Sequence, residues 1–232
     1  MVYGSLLKYI VPIKFNRAFI KPSRHRKAYI APKILINMKS SKSLLKNVNV
    51  DALERTLDKC LAWFYAYPRT KIGLTDLATN IKSSKTAAKK VVENLIQVNF
   101  LNRDIIGKAW LLSANQKHTF FIAKKIPYNL NAVYESGVLE EVYKKIPSLR
   151  AIILFGSYRW GTDIEGSDID IAVEVIGNHD LQIIQMGIIK QLGYRENVPV
   201  NMHIFSRNNI DLNLFSNIAN GIILDGFLEV KK

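Results

Sequence analysis

The sequence predicts an α/β chain, α+β in the order of its elements, with two folded units behind a basic arm. Three observations predict it. Apolar residues recur at helical spacing in three successive runs between residues 51 and 98. A continuous apolar run, Ala151 to Phe155, stops at Gly156-Ser157 and is followed by a β-branched stretch from Ile169. The net positive charge is confined to the first two thirds of a chain whose net charge is +14.

Residues 1–50 hold eleven Lys and Arg and no acidic residue. Pro12, Pro22 and Pro32 interrupt this stretch, which keeps no period of 2 or 3.6, so it reads as an extended basic arm. Met38 is an alternative first residue within it. Residues 51–146 carry fifteen basic against nine acidic residues, and 147–232 carry seven against ten. Such asymmetry points to a nucleic-acid partner for the basic two thirds, with counterion release as the driving force.

Apolar residues make up 48% of the chain, enough to bury cores. No window approaches the roughly 20 uninterrupted apolar residues of a membrane span, so no membrane contact is expected. Cys60 is the single cysteine, which rules out an intrachain disulfide. Leu6 to Ile13 is too short for a signal core and no small-x-small site follows it, so the expected location is cytoplasmic.

The first folded unit, 51–115, opens with Leu53, Leu57, Cys60, Leu61 and Phe64 at helical spacing until Pro68. A short helix with Thr75 as its expected cap turns Leu77, Ala78 and Ile81 inward. Ser83-Ser84 marks a turn and a cap, and a third helix runs from Lys85 to Val98 with Ala88, Val91, Val92 and Leu95 on its apolar stripe. Two β-like runs, Phe100–Arg103 and Ala109–Ser113, flank Gly107. Three helices and then a hairpin resemble a winged helix-turn-helix, which implies that the third helix enters a DNA groove. Lys82, Lys85, Lys89 and Lys90 are the expected DNA-binding residues; read on helical geometry, the first three line one side and hold phosphates rather than read bases. Residues 116–130 read as a linker with strand character from Thr119 to Ala123, ending at Pro127. Helical periodicity then resumes from Ala132 to Ile146 and opens the last unit, 131–232.

The chemistry lies beyond it. Glycine lets a strand end turn sharply and approach a ligand, and a helix start offers unpaired N–H groups. Gly156 and Ser157 are therefore the expected nucleotide-binding residues, holding a polyphosphate. Eleven residues past Ser157 stands Asp168-Ile169-Asp170, whose alternation puts both carboxylates on one side, with Cα atoms about 6.6 Å apart. Two carboxylates held about 4 Å apart repel by about 4 kcal/mol at an effective dielectric of 20, so the pair calls for a cation. All-oxygen ligands favour Mg²⁺ or Mn²⁺. Asp168 and Asp170 are thus the expected metal ligands and catalytic residues.

The run from Leu154 to Glu174, LFGSYRWGTDIEGSDIDIAVE, resembles the signature of the DNA polymerase beta-like nucleotidyltransferases, above all the small prokaryotic minimal type. Ile218 to Gly226 is similar to that family's closing strand, so the resemblance spans about 131–232. It implies a mixed sheet with flanking helices, Mg²⁺ or Mn²⁺, and an NTP donor, for which ATP is the first choice. It also implies transfer of a nucleoside monophosphate to a hydroxyl acceptor, and for minimal members a helical protein partner of the toxin–antitoxin kind.

Two positions depart from the family pattern. Asn201 stands where a third carboxylate is expected, and an amide cannot take a proton; His203, two residues on, is a substitute base. Trp160 stands where an Arg commonly precedes the glycine, with Arg159 one step before. Glu174 shares the face of the carboxylate pair but lies roughly 20 Å along the strand from Asp168, too far to ligate.

Other motifs fail on the same residues. Thr162-Asp163 follows where a P-loop needs Lys and Ser or Thr, and Asp168 occupies the glycine position of an EF-hand loop. His25, His118, His179 and His203 have no metal-ligand spacing. The readings left are an active transferase fused to a DNA-binding unit, a degenerate nucleotide-sensing regulator that binds DNA, and a partner-binding module.

Overall fold

The computed structural model describes residues 44–48 and 55–229. The basic arm up to residue 43, residues 49–54 at the start of the first folded unit and the last three residues lie outside them, and with them Met38 and Leu53. The described residues belong to one compact unit, 31–232.

The chain enters helix α1 (Thr56–Ala66) and leaves it at Tyr67, one residue before Pro68. A two-residue strand β1 (Ile72–Gly73) leads into α2 (Leu74–Asn80), whose cap is Gly73 rather than Thr75; the threonine lies within the first turn. Ser84 caps α3 (Lys85–Gln97) by accepting from the Ala87 N–H at 3.2 Å. Strands β2 (Leu101–Ile106) and β3 (Ala109–Ala114) close a hairpin around Gly107, and β1 joins them in the order β1-β3-β2. Phe64, Leu77, Ile81, Ala88, Val92 and Leu112 are fully or almost fully buried in the core between these elements.

The expected linker is a helix. α4 (Thr119–Glu135) starts at the run with strand character, with His118 as its cap, and continues through Pro127. Tertiary contacts override the local β preference of Thr119 to Ala123: Phe121 is buried against Tyr65 and Phe100 in the first core. The helix expected over 132–146 is broken at Gly137, which adopts φ +76°, so α5 (Val138–Lys145) is a separate helix.

The remaining elements form a mixed sheet with flanking helices. Strand β4 (Leu149–Phe155) is followed by the short helix α6 (Gly156–Trp160), then β5 (Ile169–Val175), β6 (Gln182–Leu192), β7 (Arg195–Phe205), α7 (Leu212–Ala219) and β8 (Ile222–Gly226). Their order is β6-β7-β5-β4-β8; β5 and β7 run parallel and the other pairs antiparallel. One sheet face buries Ile152, Leu154, Ile171 and Val173 with Ala132, Val133, Val138 and Val142 of α4 and α5. The other buries Ile153, Phe155, Ala172 and Phe205 with Ile218, Leu214 and Phe215 of α7. Apolar strands in the middle of the sheet are thus covered on both sides, as the unbroken run at Ala151 to Phe155 requires. None of the described helices is long and apolar enough to cross a membrane.

Candidate active site

Strand β4 ends at Phe155, and Gly156 turns the chain with φ +70°. That conformation suits glycine, and the space demands it as well: a Cβ there would stand 2.6 Å from Oδ2 of Asp170. The turn and one carboxylate are therefore in direct contact. Phe155 pairs with Asp170 across β4 and β5, and Asp170 pairs with Asn201 across β5 and β7. Directly paired residues share a face, so Asp170 and Asn201 open on the side covered by α7.

Asp168 sits just before β5 and is half-buried. Asn201 donates through Nδ2 to its Oδ2 at 2.5 Å. His203, two residues along β7, brings Nε2 within 3.2 Å of Asp170 Oδ1 and sets its ring edge-on to Phe155 at 4.9 Å. The Nδ1 of His203 is buried without a hydrogen-bond partner. The two acids thus lie side by side, each met by one residue of the parallel neighbour. The register of β5 on β7 creates the contacts with Asn201 and His203, which the spacing of 168 and 170 alone does not contain.

Other expected residues fall as follows. Helix α6 has only five residues, so its axial dipole is small and the turn's free N–H groups and the Ser157 hydroxyl are what it offers. Arg159 donates to the Asn220 carbonyl at 2.6 Å and stacks on the Trp160 ring at 3.8 Å, so its guanidinium is committed there. Glu174 is fully buried and accepts from Arg207 Nε at 2.6 Å, at the far end of β5 from the turn. Lys85, Lys89 and Lys90 are exposed on α3. Lys82 is exposed too, but it lies in the turn before α3 with φ +49°, so the helical spacing that grouped it with Lys85 does not hold.

A buried polar cluster under the site was missed. The loop from Gly161 to Asp168 rests on α4: Lys125 Nζ donates to the Asp163 carbonyl at 2.5 Å and pairs with its carboxylate at 3.2 Å. Asn129 donates to Asp163 Oδ1 at 2.7 Å and to the Tyr158 carbonyl at 3.2 Å. Burial pushes the Asp163 carboxyl up and the Lys125 ammonium down, and their mutual attraction opposes both shifts. Arg195, at the start of β7, donates to the carbonyls of Glu165 and Ser167 and to the Tyr158 hydroxyl. The sequence carries one sign of such a cluster: Phe121, Lys125 and Asn129 fall at i, i+4 and i+8, one helical face.

Residues 135–223 match the family model described as a nucleotidyltransferase domain. No curated protein matches the chain. The matched stretch runs from the end of α4 into β8 and contains the turn, both carboxylates, Asn201 and His203. A nucleotidyltransferase domain implies a divalent cation, and the donor atoms here test the fit. Asp168 keeps Oδ1 and Asp170 keeps Oδ2 outside the hydrogen bonds to β7, and both are hard oxygen donors suited to Mg²⁺ or Mn²⁺. Among the described residues no three His, Cys, Asp or Glu converge on one metal position. The matched stretch therefore fits a cation as a two-carboxylate set, Asp168 and Asp170, completed by oxygens from outside the protein.

Proposed function

We propose that the protein is a metal-dependent nucleotidyltransferase that moves a nucleoside monophosphate from an NTP, ATP first, to a hydroxyl acceptor, and that it is fused to a DNA-binding winged helix. One observation carries the first part: the carboxylate of Asp170 touches the Gly156 turn, with Asp168 beside it, inside a stretch that matches the nucleotidyltransferase domain. The cation would neutralise phosphate charge as the acceptor oxygen bonds to the α-phosphorus in line and pyrophosphate leaves. Asp168 and Asp170 hold it, while the Ser157 hydroxyl and the N–H groups of the turn bind phosphate oxygens. Asn201 orients Asp168 and cannot accept the acceptor's proton; His203 is engaged with Asp170 through Nε2 and its Nδ1 is buried, so that proton leaves to water.

The element order α1-β1-α2-α3-β2-β3 and the sheet order β1-β3-β2 support a winged helix over 56–114. Lys89 and Arg103 flank the Trp110 ring at 5.5 and 4.7 Å, which extends the basic face of α3 onto the hairpin. A second reading, a regulator that senses nucleotide without turnover, is favoured by Asn201 and His203 occupying the flanks of the carboxylate pair.

Incubation of the protein with α-³²P-labelled NTPs, Mg²⁺ and cell extract separates the two. Label on a product that disappears with Asp168→Ala supports transfer. Binding of NTP with no labelled product supports the sensor.

A further inference from the structure

We infer that Arg195 is a positioning residue of the nucleotide site, fixing Asp168 against the Gly156-Ser157 turn; the inference rests on the reading of that site given above. Arg195 opens β7 and is 4% exposed. Its Nε and Nη2 donate to the Glu165 carbonyl at 3.2 and 3.0 Å. Nη2 also donates to the carbonyl of Ser167, the residue before Asp168. Nη1 donates to the hydroxyl of Tyr158, the residue after Ser157, and lies 3.8 Å from Asp163 Oδ2. Every one of these acceptors belongs to the segment 158–167, which joins the phosphate turn to the metal carboxylate.

Taking a guanidinium out of water is costly, and an apolar residue would fill the same space at less expense. What the charge supplies is direction, because its planar fork of donors spans several acceptors at once where a lysine ammonium is one point. Strand β7 therefore grips Asp168 twice: Arg195 holds the backbone leading into it, and Asn201, six residues along, holds its carboxylate at 2.5 Å. The same arginine reaches helix α6 through Tyr158, so one side chain sets the spacing between turn and carboxylate.

The test compares the full chain with Arg195→Lys, which keeps the charge facing Asp163 and loses the fork. Two quantities are read: amide hydrogen exchange over 161–168, and the affinity for α,β-methylene-ATP with and without Mn²⁺. Exchange in the loop should rise while β5 and β7 stay protected, and the gain in affinity that Mn²⁺ confers should fall by about tenfold. Tyr158→Phe, which removes one acceptor and keeps the ring, should move both readouts the same way by less, and it serves if Arg195→Lys does not fold. A variant whose affinities with and without Mn²⁺ fall in proportion overturns the inference and marks Arg195 as structural only. So does a variant whose loop exchange is unchanged. Wild-type protein with no Mn²⁺-linked nucleotide binding overturns the reading of the site, and this inference with it.

Discussion

At Gly156 conformation and space act together. An alanine there would need φ +70° and would place its methyl group 2.6 Å from Asp170 Oδ2. The backbone strain alone costs about 1–3 kcal/mol, and relief by moving Asp170 breaks the carboxylate pair. Gly156→Ala is expected to lower the melting temperature and abolish Mg²⁺-dependent ATP binding, measured by scanning and titration calorimetry. Asn201 poses the converse case, since its amide donates to Asp168 at 2.5 Å. Asn201→Asp exchanges a donor for a like charge and should cost about 1–3 kcal/mol in urea denaturation without divalent cations. Millimolar Mg²⁺ should restore that loss, because a third carboxylate then has a counter-charge. The same variant should raise any transfer rate by ~10-fold or more through a group able to accept a proton. Equal stability with and without Mg²⁺ would count against a cation at this position.

Among the elements, α4 does the most that the sequence concealed. Its N-terminal half packs in the first core through Phe121, and its C-terminal half packs in the second through Ala132 and Val133. Phe121→Ala should cost about 3–5 kcal/mol and shift unfolding monitored by tryptophan fluorescence and by far-ultraviolet dichroism together, as a helix common to both cores requires. Pro127 and the run Thr119 to Ala123 argue locally against a helix, and Lys125 looks like a solvated charge until Asp163 is found beneath it. Strand β4 was legible because five apolar residues in a row suit burial on both faces, and α3 because Ser84 caps an apolar stripe. The turn at Gly156 and the shared side of Asp168 and Asp170 were legible from spacing, since a turn and an alternating pair are local features. Arg195 and the contacts of Asn201 and His203 were not, because they depend on which strand lies beside β5.

Over the whole molecule, the basic residues of α3 and the hairpin stand apart from a mildly acidic last third. If α3 holds duplex phosphates, log K for DNA should fall steeply with log salt, and Lys85→Ala with Lys89→Ala should flatten the slope by about 0.9 per lost contact. A gel shift repeated over a salt series reads both, and an unchanged slope would remove the two lysines from the interface. The first core is also joined to the second by more than α4: Tyr67 donates to the Tyr194 carbonyl at 2.6 Å, and Thr70 to Glu165 at 3.1 Å. Tyr194 is the neighbour of Arg195, and Glu165 lies in the stretch that Arg195 clasps. A load placed on α1 would thus reach the loop between Gly156 and Asp168 through these two hydrogen bonds as well as through α4.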